Sequence, residues 1–564
     1  MAEIPVGEYL FRRLKQMGIE TAFGVPGDYE LALLNHIEPA GVRWIGTPNE
    51  LVGAYAADGY ARLKGAAALV TTFGPGELSA LCGIGGSFCE MVPVLHIVGY
   101  PSFAAQSSGR ILHHTLGDKS YDHYVRISSE LSCATTILKN PENAIAEIDR
   151  VLNGTVYFSL MLTSIGITED VVKTMVPVSS LNAASIKMTL SAGLEDDPAL
   201  SAIMVALESS KNPIVIVDGG AGRGSWAPHA NDLIKALRSL HFNTIMGKGV
   251  VEEDGPLFAG CYAGVGSLPQ TSRAVEKSDC ILWLGHMPSD FNTGMFTDQV
   301  KSSTIIDFQR FQITVGNKQF QARMTTVLPR LAQAIKTSKV LGDRTLPEPV
   351  APLLEQALDI PSSIITQDYL WPRLSSFVKP GDMVIAETGT SQVGAVATQI
   401  PKGAYYWTQA VWGSIGYAIG GAIGAAVAGK ELGRYKRMIV LTGEGSLQLT
   451  AQAISILNRH GVVPYLFILN NKGYTVERYF EGWDAIYNDV PDWDYGGLFK
   501  SFSPEVSTTT FKVQTAAELD RILSDDDFQN ATSPQQCIDM VLDKYDAPGG
   551  LKAIFDYKKK AASA

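Results

Sequence analysis

An excess of positive charge is missing from this chain. Its 46 Lys and Arg against 57 Asp and Glu leave a formal net charge of -11, which makes nucleic acid and anionic membrane surfaces poor partners. Cysteine is scarce as well. The six residues Cys82, Cys89, Cys133, Cys261, Cys280 and Cys537 are scattered and form no C-x-x-C pair. That argues against a disulfide framework or a zinc site and fits a reducing compartment. No apolar signal core follows Met1-Ala2-Glu3; Tyr9, Leu10, Leu14 and Met17 mark an amphipathic stretch instead, and the cytoplasm is the expected location. The long apolar run Trp412–Ala428 is broken by glycines and lies inside an α/β pattern, which predicts a tightly packed helix rather than a membrane span.

What is present is ordinary globular material, 46% hydrophobic and 18% charged over 564 residues. Strand-like and helix-like runs alternate throughout. Strands are expected at Thr21–Val25, Ala68–Thr72 and Val94–Val98, with helices at Leu51–Leu63 and Leu78–Glu90. Pro213–Asp218 and Cys280–Gly285 mark a middle block, and Met383–Ala386 opens the last one. The predicted fold class is α/β, three doubly wound parallel-sheet domains with ligands at the carboxyl ends of strands. The expected boundaries are 1–182, 190–342, a Pro-rich link over 343–362, and 363–564. Gly219–Gly224 follows a strand but lacks the G-x-G-x-x-G spacing, so a plain strand-to-helix turn is the better reading.

Near the C-terminal end Gly443-Glu444-Gly445-Ser446 follows the strand pattern Arg437–Thr442, and Asn470-Asn471-Lys472-Gly473-Tyr474 follows Pro464–Leu469. Leu447, Leu449, Ile454, Ile456 and Leu457 suit one helix packed on the sheet between them. In such a right-handed βαβ unit both strands end on one sheet edge. The oxygens of Glu444 and Asn471 then meet beside a helix N-terminus, an arrangement suited to a magnesium diphosphate. Taken alone, Gly-Glu-Gly between strand and helix is equally well read as turn chemistry.

Other segments carry more. Phe23–Asp28 ends a strand with a carboxylate, and Trp44–Glu50 ends another with Glu50 at the mouth of a helix, where the helix dipole alone would favour an acid. The adjacent pair His113-His114, in an extended strand, would point to opposite faces and fit a metal poorly. Together with Ala54–Arg62, Thr71–Ala80, Ala386–Ser391, Ser289–Gly294, Trp412–Gly416 and Gly473–Glu477, these segments resemble the thiamine-diphosphate decarboxylases. The two histidines are similar to the pair of the pyruvate and indolepyruvate decarboxylase family, and the likeness spans about residues 5 to 545.

That resemblance implies thiamine diphosphate and magnesium as cofactors, the former supplying the electron sink for 2-keto acid decarboxylation. Implied catalytic residues are Asp28, Glu50, His113, His114 and Glu477, with Glu50 binding N1′ of the aminopyrimidine and the others moving protons. Implied cofactor contacts are Glu50, Thr72, Thr388, Thr390, Gly413, Ser414, Ile415, Gly443, Gly445, Ser446, Asn471 and Tyr474, Ile415 acting as an apolar wedge. Glu444, Asn471 and the Gly473 carbonyl are the implied magnesium ligands. The expected activity is conversion of pyruvate to acetaldehyde by a homo-oligomer, a dimer of dimers, whose sites combine residues of two chains. Indolepyruvate or phenylpyruvate is the alternative substrate, and a non-catalytic structural oligomer the alternative of a different class. Val476, β-branched and expected to line the substrate pocket, favours a small acid.

Three positions depart from the family pattern. Glu444 stands for an aspartate, Ala221 for the cysteine of some substrate-activated enzymes, and Tyr157–Leu162 lacks a usual proline.

Overall fold

A computed structural model describes residues 2–157, 162–182, 192–220, 226–342, 347–350, 364–530 and 535–563. Residues 221–225, with Ala221 and the end of its glycine-rich loop, residues 158–161 and most of the expected link lie outside these. The chain packs as two compact units, Met1–Leu190 with Gly420–Gly433, and Ser191–Ile419 with Arg434–Ala564.

The first unit is built on six parallel strands in the order Arg43–Gly46, Thr21–Gly24, Ala67–Thr72, Val94–Tyr100, Thr163–Thr168, Ala134–Leu138. Its central strands are buried along their length, which is why they read as continuous apolar runs rather than as alternation. The amphipathic N-terminal stretch is a helix, Val6–Gln16, with Tyr9, Leu10 and Leu14 buried against the sheet. Helix Glu50–Lys64 meets the Gly-rich segment 420–433 at backbone distance: a Cβ on Gly424 would lie 1.7 Å from the Ala56 carbonyl. The carboxylate of Glu431 closes this contact, accepting from Thr21 Oγ1 and Tyr60 OH at 2.6 Å each and pairing with Lys64 at 3.0 Å.

The second unit holds two sheets. Five parallel strands, Phe258–Cys261, His241–Asn243, Pro213–Val217, Cys280–Leu284 and Ile305–Phe308, continue into an antiparallel hairpin, Ile313–Val315 and Lys318–Phe320. The other sheet runs Tyr405–Thr408, Met383–Ala386, Met438–Gly443, Pro464–Asn470, Gln535–Val541, Thr508–Val513, all parallel. Buried Lys248 and Glu253 pair at 3.0 Å, and they reach Thr398 O and Ile400 N in the neighbouring segment.

Two expectations need correction. The helix between the two C-terminal motifs is two helices, Glu444–Thr450 and Ala453–Arg459, and Leu449 is 51% exposed. The break at 451–452 turns the second helix so that Ile454 and Leu457 face the core while Leu449 does not. The Gly-rich helix begins at Tyr417, not Trp412; Gly413 and Gly416 take left-handed φ values of 64° and 89°, which makes the preceding residues a turn. No helix among the described residues is long and apolar enough to cross a membrane.

Candidate active site

Sequence-predicted residues gather at the carboxyl edges of two sheets, one in each unit. In the first unit, Asp28 opens the short turn Asp28–Glu30 after strand Thr21–Gly24, its side chain half exposed. Glu50 is the first residue of helix Glu50–Lys64, where Asn49 caps by accepting from Val52 N at 2.8 Å. A Cβ on Gly76 would lie 3.0 Å from both Glu50 Oε1 and Thr72 Cγ2, so Glu50 and Thr72 share one small recess. Thr72 Oγ1 is buried there beside the Glu30 carboxyl, with no well-aligned hydrogen bond among the described residues, and a polar ligand group would satisfy it.

His113 and His114 lie in a turn rather than an extended strand, with His114 at φ 68°. That overturns the expectation of opposite faces. The reversal brings the two rings to 4.7 Å at 77° and sets His113 Nε2 2.7 Å from Asp28 Oδ2. Carboxyl and imidazole atoms of Asp28, His113 and His114 all fall within 4.8 Å. An acid–base pair in contact with a half-exposed carboxylate can carry a proton between interior and cleft.

Two further acids, to which the sequence assigns no role, stand behind this edge. Glu30 is fully buried, accepts from Gly27 N at 2.5 Å, and is pushed up to about 8, chiefly by burial. Glu77 accepts from Ser128 Oγ at 2.5 Å and Tyr100 OH at 3.2 Å, and burial pushes it up to about 7. Only the three-dimensional packing reveals them, because in sequence each is one acid at the start of a helical run.

In the second unit, Glu444 begins helix Glu444–Thr450 and is 2% exposed; its Oε1 accepts from Gly473 N at 2.6 Å. Burial pushes Glu444 up to about 7. Asn471 is the test of whether a cation fits. With its nitrogen turned in, it donates to Gly473 O at 2.5 Å and to Glu444 Oε1 at 3.2 Å, its oxygen accepting from Thr475 Oγ1 at 2.8 Å. With its oxygen turned in, the Asn471 side chain, Gly473 O and Glu444 Oε1 present three oxygens to one another, a donor set that a hard cation could take once the spacings open to its coordination geometry. The donor set suits magnesium, and it would hold Glu444 ionised.

Glycines supply the adjoining space. Strands Met383–Ala386, Tyr405–Thr408 and Met438–Gly443 are neighbours in the sheet, and each is followed or ended by a glycine: Gly389, Gly413, Gly443. A Cβ on Gly389, Gly413 or Gly443 would meet no atom closer than 3.6 Å. The backbone there faces a cradle open to a ligand. Thr388 and Thr390 stand on its rim, Thr388 Oγ1 donating to Gln409 O at 3.2 Å. Ser414 N donates to Gln409 Oε1 at 3.0 Å, Ser446 is buried in the first turn after Gly445, and Ile415 is half-buried. Tyr474 N donates to Asn488 O at 2.8 Å, and Glu477 is exposed on helix Thr475–Phe480.

Glu387 lies in the segment Ala386–Ser391, which by itself assigns it no role. It is 1% exposed, with Oε2 accepting from Gly416 N at 3.2 Å and Ala418 N at 3.1 Å and Oε1 from Thr388 N at 3.1 Å. Burial nevertheless pushes it up to about 7. It ties the turn that carries Ile415 to the end of strand Met383–Ala386.

Comparison with known proteins agrees with both halves. Profiles of three thiamine pyrophosphate enzyme domains match: the N-terminal TPP binding domain over residues 4–123, the central domain over 200–335 and the C-terminal TPP binding domain over 387–527. A pyruvate decarboxylase of Candida glabrata is 40% identical over 558 residues, 98% of this chain and 97% of that protein. Pyruvate decarboxylase isozyme 1 of Saccharomyces cerevisiae is 40% identical over 555 residues, 98% of each. A pyruvate decarboxylase of Aspergillus terreus is 36% identical over 551 residues, 97% of this chain and 96% of that protein. Among solved structures, a thiamine diphosphate-dependent 4-hydroxybenzoylformate decarboxylase of Rhodococcus jostii superimposes with a TM-score of 0.77. It is 19% identical and covers 96% of this chain and 100% of its own, a likeness of fold.

Proposed function

The chain belongs to the pyruvate decarboxylases, within the thiamine pyrophosphate enzymes, and on that premise we propose that it converts pyruvate to acetaldehyde and carbon dioxide. The observation that carries this reading is the Asp28–His113 contact at 2.7 Å beside His114. Decarboxylation must end with a proton delivered to the carbon that lost its carboxylate, and these are the groups built to deliver one.

Thiamine diphosphate, once bound, supplies the electron sink that no side chain offers. The chain's own residues bind and orient. Glu444, Asn471 and the Gly473 carbonyl would hold magnesium against the diphosphate, with Gly443, Gly445 and Ser446 at the helix start. Glu50 would hold N1′ of the aminopyrimidine, the Gly413 carbonyl would accept from its amino group, and Ile415 would wedge beneath. Thr72, Thr388, Thr390, Ser414 and Tyr474 complete the contacts, and Glu477 joins Asp28, His113 and His114 in handling substrate protons.

A pyruvate decarboxylase acts as an oligomer. We take the working form to be a cytoplasmic dimer of dimers, each site combining Asp28, Glu50, His113 and His114 of one chain with residues 388–477 of another. Exposed apolar side chains flanking the site segments, Ile111 (61%), Leu116 (66%) and Ile486 (86%), support burial against a further chain.

The test is turnover with thiamine diphosphate and magnesium on pyruvate against indolepyruvate, with the aldehyde products assayed. Acetaldehyde from pyruvate at the higher kcat/KM is the expected result. Preference for indolepyruvate would move the assignment to aromatic keto acids. Failure to retain cofactor would instead favour a structural oligomer. Glu444→Ala should abolish magnesium-dependent cofactor retention and Glu444→Asp should preserve it; tight cofactor binding by the Ala variant would refute the metal role.

A further inference from the structure

Behind the Asp28–His113 contact stands a residue that the mechanism above leaves idle. Tyr29 is 8% exposed, its ring edge-on to Phe73 at 6.2 Å and stacked on His113 at 4.7 Å and 14°. Its hydroxyl lies 3.2 Å from His113 Nδ1. His113 therefore has a partner at each nitrogen, Asp28 at Nε2 and Tyr29 at Nδ1. His114 differs. Its backbone is pinned, with its carbonyl accepting from Tyr124 OH at 2.9 Å. Among the described residues no hydrogen bond reaches its ring, and Nδ1 is buried.

We propose that Tyr29 is a positioning residue which, with Asp28, holds His113 in the Nε2–H tautomer and so leaves His114 as the histidine that meets the substrate. The argument starts from the carboxylate. An ionised carboxylate only accepts, and a bare Nε2 at 2.7 Å would set two lone pairs against each other, so the proton sits on Nε2. Nδ1 is then a bare acceptor, and the phenol O–H, 3.2 Å from it against 3.4 Å from the His113 carbonyl, is the donor beside it. Burial pushes Tyr29 up to about 12, so that donor survives across the working pH range.

The consequence is a division of labour. To turn toward a substrate, the His113 ring would forfeit both bonds and its stack on Tyr29. The Nε2 proton can pass to Asp28, whose Oδ1 has no partner among the described residues and whose side chain is 52% exposed, only as another proton arrives at Nδ1, so that the ring is never left anionic. His114 carries a buried nitrogen whose unmet hydrogen bond is costly until a ligand supplies it. In an active decarboxylase that ligand is the keto acid, a point that rests on the reading above.

The test is 15N NMR of histidine-labelled full-length enzyme with thiamine diphosphate and magnesium, the two signals assigned through His113→Gln and His114→Gln. His113 should show a protonated Nε2 and a bare, hydrogen-bonded Nδ1. Tyr29→Phe keeps the ring packing on Phe73, so a purely structural role would leave His113 untouched. The expected result is loss of the Nδ1 hydrogen-bond signature, with kcat lowered about 2- to 10-fold and KM nearly unchanged, the worth of one neutral hydrogen bond. Adding pyruvate should shift the His114 nitrogens and leave those of His113 in place. A His113 protonated on Nδ1 in the parent, or a Phe variant matching the parent in both spectrum and kcat, would overturn the proposal. The tautomer is read without turnover. An inert protein with the expected His113 spectrum would therefore refute the decarboxylase reading and leave the role of Tyr29 toward His113 standing.

Discussion

Glu50 shows how a single position can be read and tested. It is the first residue of its helix and shares a recess with Thr72. Glu50→Gln keeps shape and hydrogen bonding but cannot exchange a proton, so cofactor should still bind while turnover falls about 100-fold or more. Near-normal turnover in the Gln variant would exclude the role. Buried titratable groups give a second prediction at this scale. Glu77 is raised from 4.5 to about 7 and buried His96 lowered from 6.5 to about 3, each mainly by burial. The fold favours neutral Glu77, so its contribution is complete below pH 4.5 and fades as pH rises toward 7. Neutral His96 contributes above pH 6.5 and fades as pH falls toward 3. Between pH 4.5 and 6.5 the two oppose each other. Glu77→Gln removes one side, so its Tm relative to the parent should climb from pH 4.5 to 7. A constant difference across thermal scans in that range would show that Glu77 titrates no differently in the fold. Of these residues, Glu50 was legible because it sits in a motif at a strand end. The burial of Glu30, Glu77 and Glu387 was not legible, even though the last two lie in motif segments, since desolvation of an acid depends on packing and leaves no local sequence signal.

The βα alternation was legible because strand and helix periods are local properties, and Met383–Ala386 and Pro213–Val217 lie where the pattern put them. Helix breaks were not legible: Leu447 to Leu457 reads as one apolar helix, yet the chain turns at 451–452. The His113-His114 turn likewise depends on a left-handed residue that any local reading disfavours. Helix contact yields the prediction here. Ala for Gly inside a helix normally gains about 0.5–1 kcal/mol, but at Gly424 the new methyl would meet the Ala56 carbonyl at 1.7 Å. Overpacking of this kind costs about 1–3 kcal/mol, so Gly424→Ala should lower stability in urea titration. Gly255→Ala, where nothing lies within 4 Å, should not.

At the scale of the whole molecule, each unit carries part of the expected site. Of the expected acid–base groups, Asp28, Glu50, His113 and His114 stand on the first unit, and Glu477 stands with the expected cation and diphosphate groups on the second. If working sites are shared between chains, specific activity should fall steeply on dilution into the range where the oligomer dissociates and return when cofactor is added in excess. Sedimentation at matched concentrations checks this. Activity that stays constant through complete dissociation would place an entire site on one chain.

By itself the sequence determined the α/β class, the family and most of the residues at the strand ends, because motif spacing and strand–helix periodicity are encoded within a few tens of residues. The tertiary structure alone decided which groups touch. It closed Asp28 onto His113 across 85 positions, set Tyr29 behind that pair, and turned Asn471 toward Glu444 and the Gly473 carbonyl. Those contacts arise where separate strands end on one sheet edge, and burial there raises Glu30 and Glu77 above the usual carboxylate range.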